Sequence, residues 1–173
     1  MAIDYGDART GVAVSDVTAT LAGEAWVMSE TGLKTVVEKI ISEAVSRGVS
    51  VIVIGYPKNM NGSVGPRAEK SEKLAGFLRA RSAQIFARTS DTACIKGSSD
   101  SQGASDTTKG PRQLEDERSG SLEIILWDER LTTMSAHRIL NETGKYGKKR
   151  KDTVDAVAAS LILESYLASV KMK

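Results

Sequence analysis

The sequence predicts an α/β domain whose central sheet has mixed strand direction and helices at its flanks. Three observations carry that reading. Two short extended segments open the chain around a glycine-containing turn. An amphipathic helical period follows them. A continuous β-branched run, Val49 to Ile54, then marks a strand buried on both faces.

In chain order, Ala2–Asp4 and Thr10–Ser15 (TGVAVS) read as strands joined by Tyr5-Gly6-Asp7-Ala8-Arg9. The first is shorter than the usual ~5 to 6 residues; either it is a very short strand or the natural start lies upstream of Met1. Ala25–Met28 reads as a further strand. A helix is expected from about Leu33 to Arg47, with Val36, Val37, Ile40, Ile41, Ala44 and Val45 on one face and Gly48 as its stop. After Val49–Ile54, Gly55-Tyr56-Pro57 ends the strand and Asn59-Met60-Asn61-Gly62-Ser63 forms a polar loop. A second amphipathic helix covers Arg67–Phe86, with Ala68, Leu74, Ala75, Leu78 and Ile85 on its apolar side. Leu122–Trp127 is another buried strand. A short helix around Met134–Glu142 and a last one from about Asp152 to Val170 complete the order.

One stretch breaks the pattern. Of the 33 residues from Thr89 to Ser121, 15 are Ser, Thr or Gly and five are apolar, and periodicity vanishes. A loop of that length inside a compact domain is uncommon, so residues 89–121 are expected to be a disordered insertion in a single domain spanning residues 1–173. Its Asp116-Glu117-Arg118 repeats Asp128-Glu129-Arg130, but only the second copy follows a buried strand.

Composition narrows the chemistry. An apolar content of 40% supports a real core. The single cysteine, Cys94, cannot pair internally, and the single histidine, His137, leaves no His/Cys set for zinc. Any metal chemistry must therefore use carboxylates. No apolar run approaches the roughly 18 residues that a membrane span needs, and the first residues do not read as a signal peptide. A reducing cytoplasm is the expected compartment, with no membrane partner.

The carboxylates are suggestively placed. Asp4 stands at the end of the first strand, Asp128 and Glu129 at the end of Ile124-Ile125-Leu126-Trp127, and Asp155 in the first turn expected of the last helix, with Asp152 one turn earlier. Singly, each has a plainer use: a strand-end Asp is a good turn residue, Asp152 a good N-cap, and a first-turn Asp gains from the helix dipole. Together, acids from three segments would repel one another unless a cation neutralised them. An oxygen-only ligand set suits Mg²⁺ or Mn²⁺, and two such ions about 4 Å apart can drive in-line phosphodiester hydrolysis.

The opening MAIDYGDARTGVAVSD resembles that of the YqgF/RuvX family of RNase H-like nucleases. So do VIGYPKNMNGS with the helix carrying Arg67 and Ala68, then LWDERLTT, and finally KDTVDAVAASLILESYL. The four blocks occur in the family's order and cover nearly all the chain outside Thr89–Ser121. The resemblance implies an RNase H-like fold and a divalent-metal nuclease, described both as a candidate Holliday-junction resolvase and as processing the 5′ end of precursor 16S rRNA. It implies metal-binding and catalytic roles for Asp4, Asp155 and the Asp128-Glu129 pair. RuvC-type relatives carry an acid on the preceding central strand, where this chain has Gly55-Tyr56, and the pair on the following strand could supply it. Side chains of neighbouring strand residues point to opposite faces, so one of the two is expected to reach the metal, with Glu129 preferred for its longer arm.

Several groups could hold a nucleic acid. Arg9 and Thr10 follow Asp4 closely enough to meet a phosphate, and Arg130 could bind phosphate or orient Glu129. Lys148-Lys149-Arg150-Lys151 is the densest positive run and leads into the Asp155 helix; it is either a solvated face or a phosphate contact near a helix N-terminus. Lys58 and Asn59 offer hydrogen bonds at a strand end, although the loop's Asn-Gly also suits a plain turn. Tyr56 could stack on a base, whereas Trp127 is expected to be buried. His137 is expected to be structural or at the surface.

The expected function is a metal-dependent endonuclease acting on structured nucleic acid, precursor 16S rRNA ahead of four-way DNA junctions, as a monomer or dimer. The alternatives are a Holliday-junction-type DNA nuclease, a non-catalytic RNA-binding module of ribosome assembly, and, remotely, an actin-like ATPase. Charge distribution agrees with nucleic-acid binding. The whole chain carries 24 basic and 22 acidic residues, but without Thr89–Ser121 its 140 residues hold 20 basic and 16 acidic.

Overall fold

An antiparallel meander opens the structure: β1 (Ala2–Tyr5), β2 (Thr10–Ser15) and β3 (Ala22–Met28). The chain continues through α1 (Leu33–Ser46), β4 (Val51–Tyr56), α2 (Pro66–Ala93), β5 (Glu123–Asp128) and α3 (Lys148–Lys171). The computed structural model describes residues 1–58, 63–93, 122–128 and 148–172, with the backbone alone at 86–93 and 148–152. The five strands form one sheet in the order β3-β2-β1-β4-β5, with β1, β4 and β5 parallel. This is the expected mixed sheet with flanking helices.

Strand alternation sorts the core into two layers. Ile3, Val12, Ile52, Ile54 and Ile124 face the helix pair, meeting Val36, Val37, Ile40 and Ile41 of α1 and Leu74, Ala75 and Leu78 of α2. Ala2, Ala13 and Val53 face the other way and pack on Ala159, Ile162, Leu163 and Leu167 of α3. On β1 and β2 the α3 side of the sheet is therefore built from small residues, and the α1/α2 side from large ones.

The last helix corrects an expectation. Thr153–Lys171 is long and apolar enough to cross a membrane by length and composition, with a mean hydropathy of 1.4. The reason is packing on the sheet: α3 lies across β1, β2, β3 and β4 and needs a broad apolar face to do so. It still carries Asp155 and Glu164 within that stretch.

Element ends moved where hydrogen bonds outweigh composition. Val49 was expected to begin β4, but its N–H is used to close α1, donating to Ala44 O at 2.8 Å while Gly48 N–H donates to Val45 O at 3.2 Å. That pair of bonds, with Gly48 at φ 63°, is a Schellman ending. The strand starts two residues later and keeps Gly55 and Tyr56, which pair with Trp127 and Asp128. Val45 lies outside the buried face, 55% exposed. α2 runs to Ala93, into the stretch expected to be an insertion, because no Gly or Pro interrupts residues 87–93. Residues 94–121 and the short helix expected at Met134–Glu142 lie outside the described residues.

Gly48 gives a clean test of the α1 ending. An added Cβ would meet nothing within 4 Å, so Gly48→Ala introduces backbone strain alone. The expected loss is about 1–2 kcal/mol, read as a lower denaturant midpoint at unchanged m-value.

Candidate functional site

The three parallel strands end on one edge of the sheet. From there β1 turns to β2 on one side, while β4 runs through α2 to β5 on the other, so the connections diverge between β1 and β4. Open α/β sheets bind ligands at such a switch point, beyond the strand C-termini. Asp4 lies there. It pairs with Gly11 of β2, and the β1–β4 register extended by one residue sets Gly55 on its other side. Asp4 shares its parity with Ala2, so it faces α3, and both strand neighbours leave the space beside it open.

α3 fills part of that space with Asp155. Its carboxylate lies 4.0 Å from Arg9 Nε, the two side chains being 32% and 22% exposed. Burial pushes the Asp4 carboxyl up to about 6, and the negative charge of Asp155 adds to the rise while Arg67 opposes it. Two acids from opposite ends of the chain thus converge.

Arg67 has no role that its place in the sequence motif alone assigns. It sits in the first turn of α2, exposed, and its charge acts on both Asp4 and Asp7. One turn along, Lys70 Nζ pairs with Asp7, tying α2 to the β1–β2 turn and holding the Asp7 carboxyl below its ordinary range. A basic residue at a helix start after a polar strand-end loop was the available signal.

Other expected site residues separate into those near the acids and those turned away. Thr10 is 1% exposed and shares its parity with Val12, so it faces α1 and α2 rather than Asp4. This corrects the expected phosphate contact; strand alternation admits Arg9 to the α3 side and excludes its neighbour. Along β5, Trp127 faces α3, donating from Nε1 to Ser165 Oγ at 3.2 Å and meeting Tyr166 edge-on at 5.4 Å. It packs against the core as expected but is only half-buried. Asp128 has the parity of Ile124 and Leu126, the α1/α2 face. Tyr56 is 8% exposed, its hydroxyl 2.5 Å from Glu72 Oε1 and Lys58 Nζ 5.3 Å from its ring, so its face is not open to a base. Lys58 stands just beyond the β4 end of the same edge.

The basic run differs from expectation in position. Lys148, Lys149, Arg150 and Lys151 do not lead into α3 but form its first turn. Asp152 is consequently inside the helix rather than its cap, and Asp155 falls one turn beyond Lys151. Lys and Arg are good helix formers, and the nearest breaker is Gly147. Asn59, Glu129, Arg130, His137 and Cys94 lie outside the described residues.

The donor set fits a hard divalent cation: two carboxylates, one buried enough to resist ionisation, with no softer ligand beside them among the described residues. Among the described residues no group of three His, Cys, Asp or Glu comes together, so Asp4 and Asp155 form a pair.

Without metal, this pair makes stability depend on pH. A free Asp titrates near 3.8 and Asp4 near 6, so the folded state binds this proton more tightly. The contribution is present below pH 3.8 and is lost as pH rises through about 6. Its size is up to about 3 kcal/mol. In EDTA, the stability difference between Asp4→Asn and wild type should grow in the variant's favour from pH 4 to pH 7.5, as measured by denaturant midpoints.

A profile of the RuvX family, described as Holliday junction resolvase, matches residues 1–93 and 95–169. A Ruminiclostridium cellulolyticum protein named "putative pre-16S rRNA nuclease" is 38% identical over 168 residues, covering 96% of this chain and 92% of its own length. Proteins of the same name from Thermoanaerobacter pseudethanolicus and Geobacillus kaustophilus are 33% and 36% identical. The first alignment covers all of this chain and 98% of the relative, and the second covers 98% and 96%. With the profile and these full-length relatives in agreement, the chain belongs to the RuvX family.

Proposed function

We propose that the protein is a divalent-metal-dependent nuclease that cleaves phosphodiester bonds in structured nucleic acid, with precursor 16S rRNA as its substrate. The observation that carries this reading is the convergence of Asp4 and Asp155 at the sheet's switch point, supported by the names of the relatives. Mg²⁺ or Mn²⁺ would be held by Asp4 and Asp155, with a third carboxylate from the Asp128-Glu129 pair. Asp128 has the parity of the α1/α2 face, and Glu129 is preferred for its longer arm. Bound there, such a cation supplies Lewis-acid polarisation of the phosphate and a nucleophile from water at neutral pH.

The chain's own residues supply the rest. Arg9, beside Asp155, and Arg67, in the first turn of α2, bring positive charge to either side of the acids, where a bridging phosphate carries its negative charge. The first turn of α3 adds Lys148 to Lys151. Cations at a helix N-terminus oppose the dipole, and a bound phosphate turns that arrangement favourable. Lys58, with Asn59 beside it, extends the contact surface along the strand ends, and Arg130 adjoins the acidic pair. A cytoplasmic location follows from an rRNA substrate.

The description of the family profile favours a second substrate, the four-way DNA junction, and both belong in one assay. With Mn²⁺ or Mg²⁺, purified protein should cut a precursor-16S mimic in preference to a DNA junction. Asp4→Asn and Asp155→Asn should each lower the rate by at least about a hundredfold while binding persists. Full activity in Asp4→Asn would sink the mechanism. Salt-sensitive RNA binding with no cleavage by wild type in any metal would leave the non-catalytic assembly module standing instead.

A further inference from the structure

Asp155 can approach Asp4 only because of what is missing between them. A Cβ built on Gly11 would lie 2.1 Å from the Asp155 carbonyl oxygen, 2.7 Å from its carbonyl carbon and 3.4 Å from Ala159 Cβ. The first two are backbone atoms of a helix, which cannot turn aside as a side-chain tip can. Gly11 is also the strand partner of Asp4. The glycine thus lies directly across from one acid and under the main chain of the other. Its neighbour on the same face, Ala13, carries a side chain and packs on α3 in the ordinary way.

We infer that Gly11 is the positioning residue of the site: the bare backbone there sets how far α3 descends onto the sheet at Asp155, and hence the spacing of the two carboxylates. A methyl group at this point must lift the helix locally, because Gly11 lies in a paired strand and cannot retreat. Lifting α3 moves Asp155 away from Asp4 but leaves the far half of the helix, Ile162 to Leu167, seated on Ala2, Ala13 and Val53. A cation needing both carboxylates then loses one of them at full reach. This rests on the metal-binding reading of the Asp4–Asp155 pair.

Mn²⁺ binding tests it without reliance on catalysis, through the electron paramagnetic resonance signal of the free ion. Gly11→Ala should remain folded and raise the Mn²⁺ dissociation constant at least tenfold, the scale seen when a group that orients a ligand is disturbed. Leu167→Ala serves as the control: it loosens the distant end of α3, lowers the melting temperature, and should keep wild-type Mn²⁺ affinity. Asp155→Glu adds one methylene of reach, so it should weaken Mn²⁺ binding in the wild-type background and recover at least threefold of the loss in Gly11→Ala. Wild-type affinity in Gly11→Ala overturns the inference. So does an equal loss in Leu167→Ala, or a Gly11→Ala chain that fails to unfold cooperatively both with and without Asp155→Glu. No Mn²⁺ binding by the wild-type chain would sink the metal reading itself, and this inference with it.

Discussion

Two carboxylates of like charge are held together where the sheet's connections diverge, and much of the architecture serves to keep them there. Burial and Asp155 both push the proton affinity of Asp4 up, and the charge of Arg67 opposes only part of that rise. The cost is offset by packing on either side of it. Ile3, next in the chain, is fully buried against α1 and α2, while Ala2 is fully buried against α3. Burying both faces of a short strand fixes its register, and a slip of one residue would turn Asp4 to the opposite layer. The strand that carries the acid is therefore among the least free to move.

The two layers of the core divide the labour. Large branched side chains fill the α1/α2 side, where the helices stand off from the sheet. Small residues of β1 and β2 line the α3 side, where the helix main chain comes down onto Gly11. α3 is correspondingly apolar along most of its length, which is why composition alone gives it the look of a membrane span. Its charged residues are concentrated at the start, Lys148 to Asp155, at the edge where the parallel strands end. One helix thus serves as core along one stretch and as part of the site along another.

Much of this was legible in the sequence. The period of α1, the β-branched run of β4 and the apolar LEIILW segment reported their elements because each has a buried face, and burial writes itself into residue type. The convergence of Asp4 and Asp155 was open only as a possibility, since it depends on α3 crossing back over β1 and β2. Thr10 shows why neighbours in sequence mislead: one residue from Arg9, it belongs to the other layer. The helical start at Lys148 was hidden because Asp152 makes a good cap in isolation, and cap preference is outweighed by the chain's freedom to continue the helix upstream. Gly11 carried no signal of its own, because a glycine in a strand reads equally as a bulge, a bend or a close approach.

The third carboxylate of the proposed site is constrained by the same layering. The row through Asp4 crosses Gly55 of β4 to Trp127 of β5, on the α3 layer. Asp128, the next residue, pairs with Tyr56 and has the parity of Ile124 and Leu126, so its side chain leaves the sheet on the α1/α2 layer. Gly55 leaves the row without a side chain between Asp4 and Trp127, a gap of two strand spacings, about 9.6 Å. The sheet thus brings one acid to the α3 layer, and the second comes from the helix that covers it.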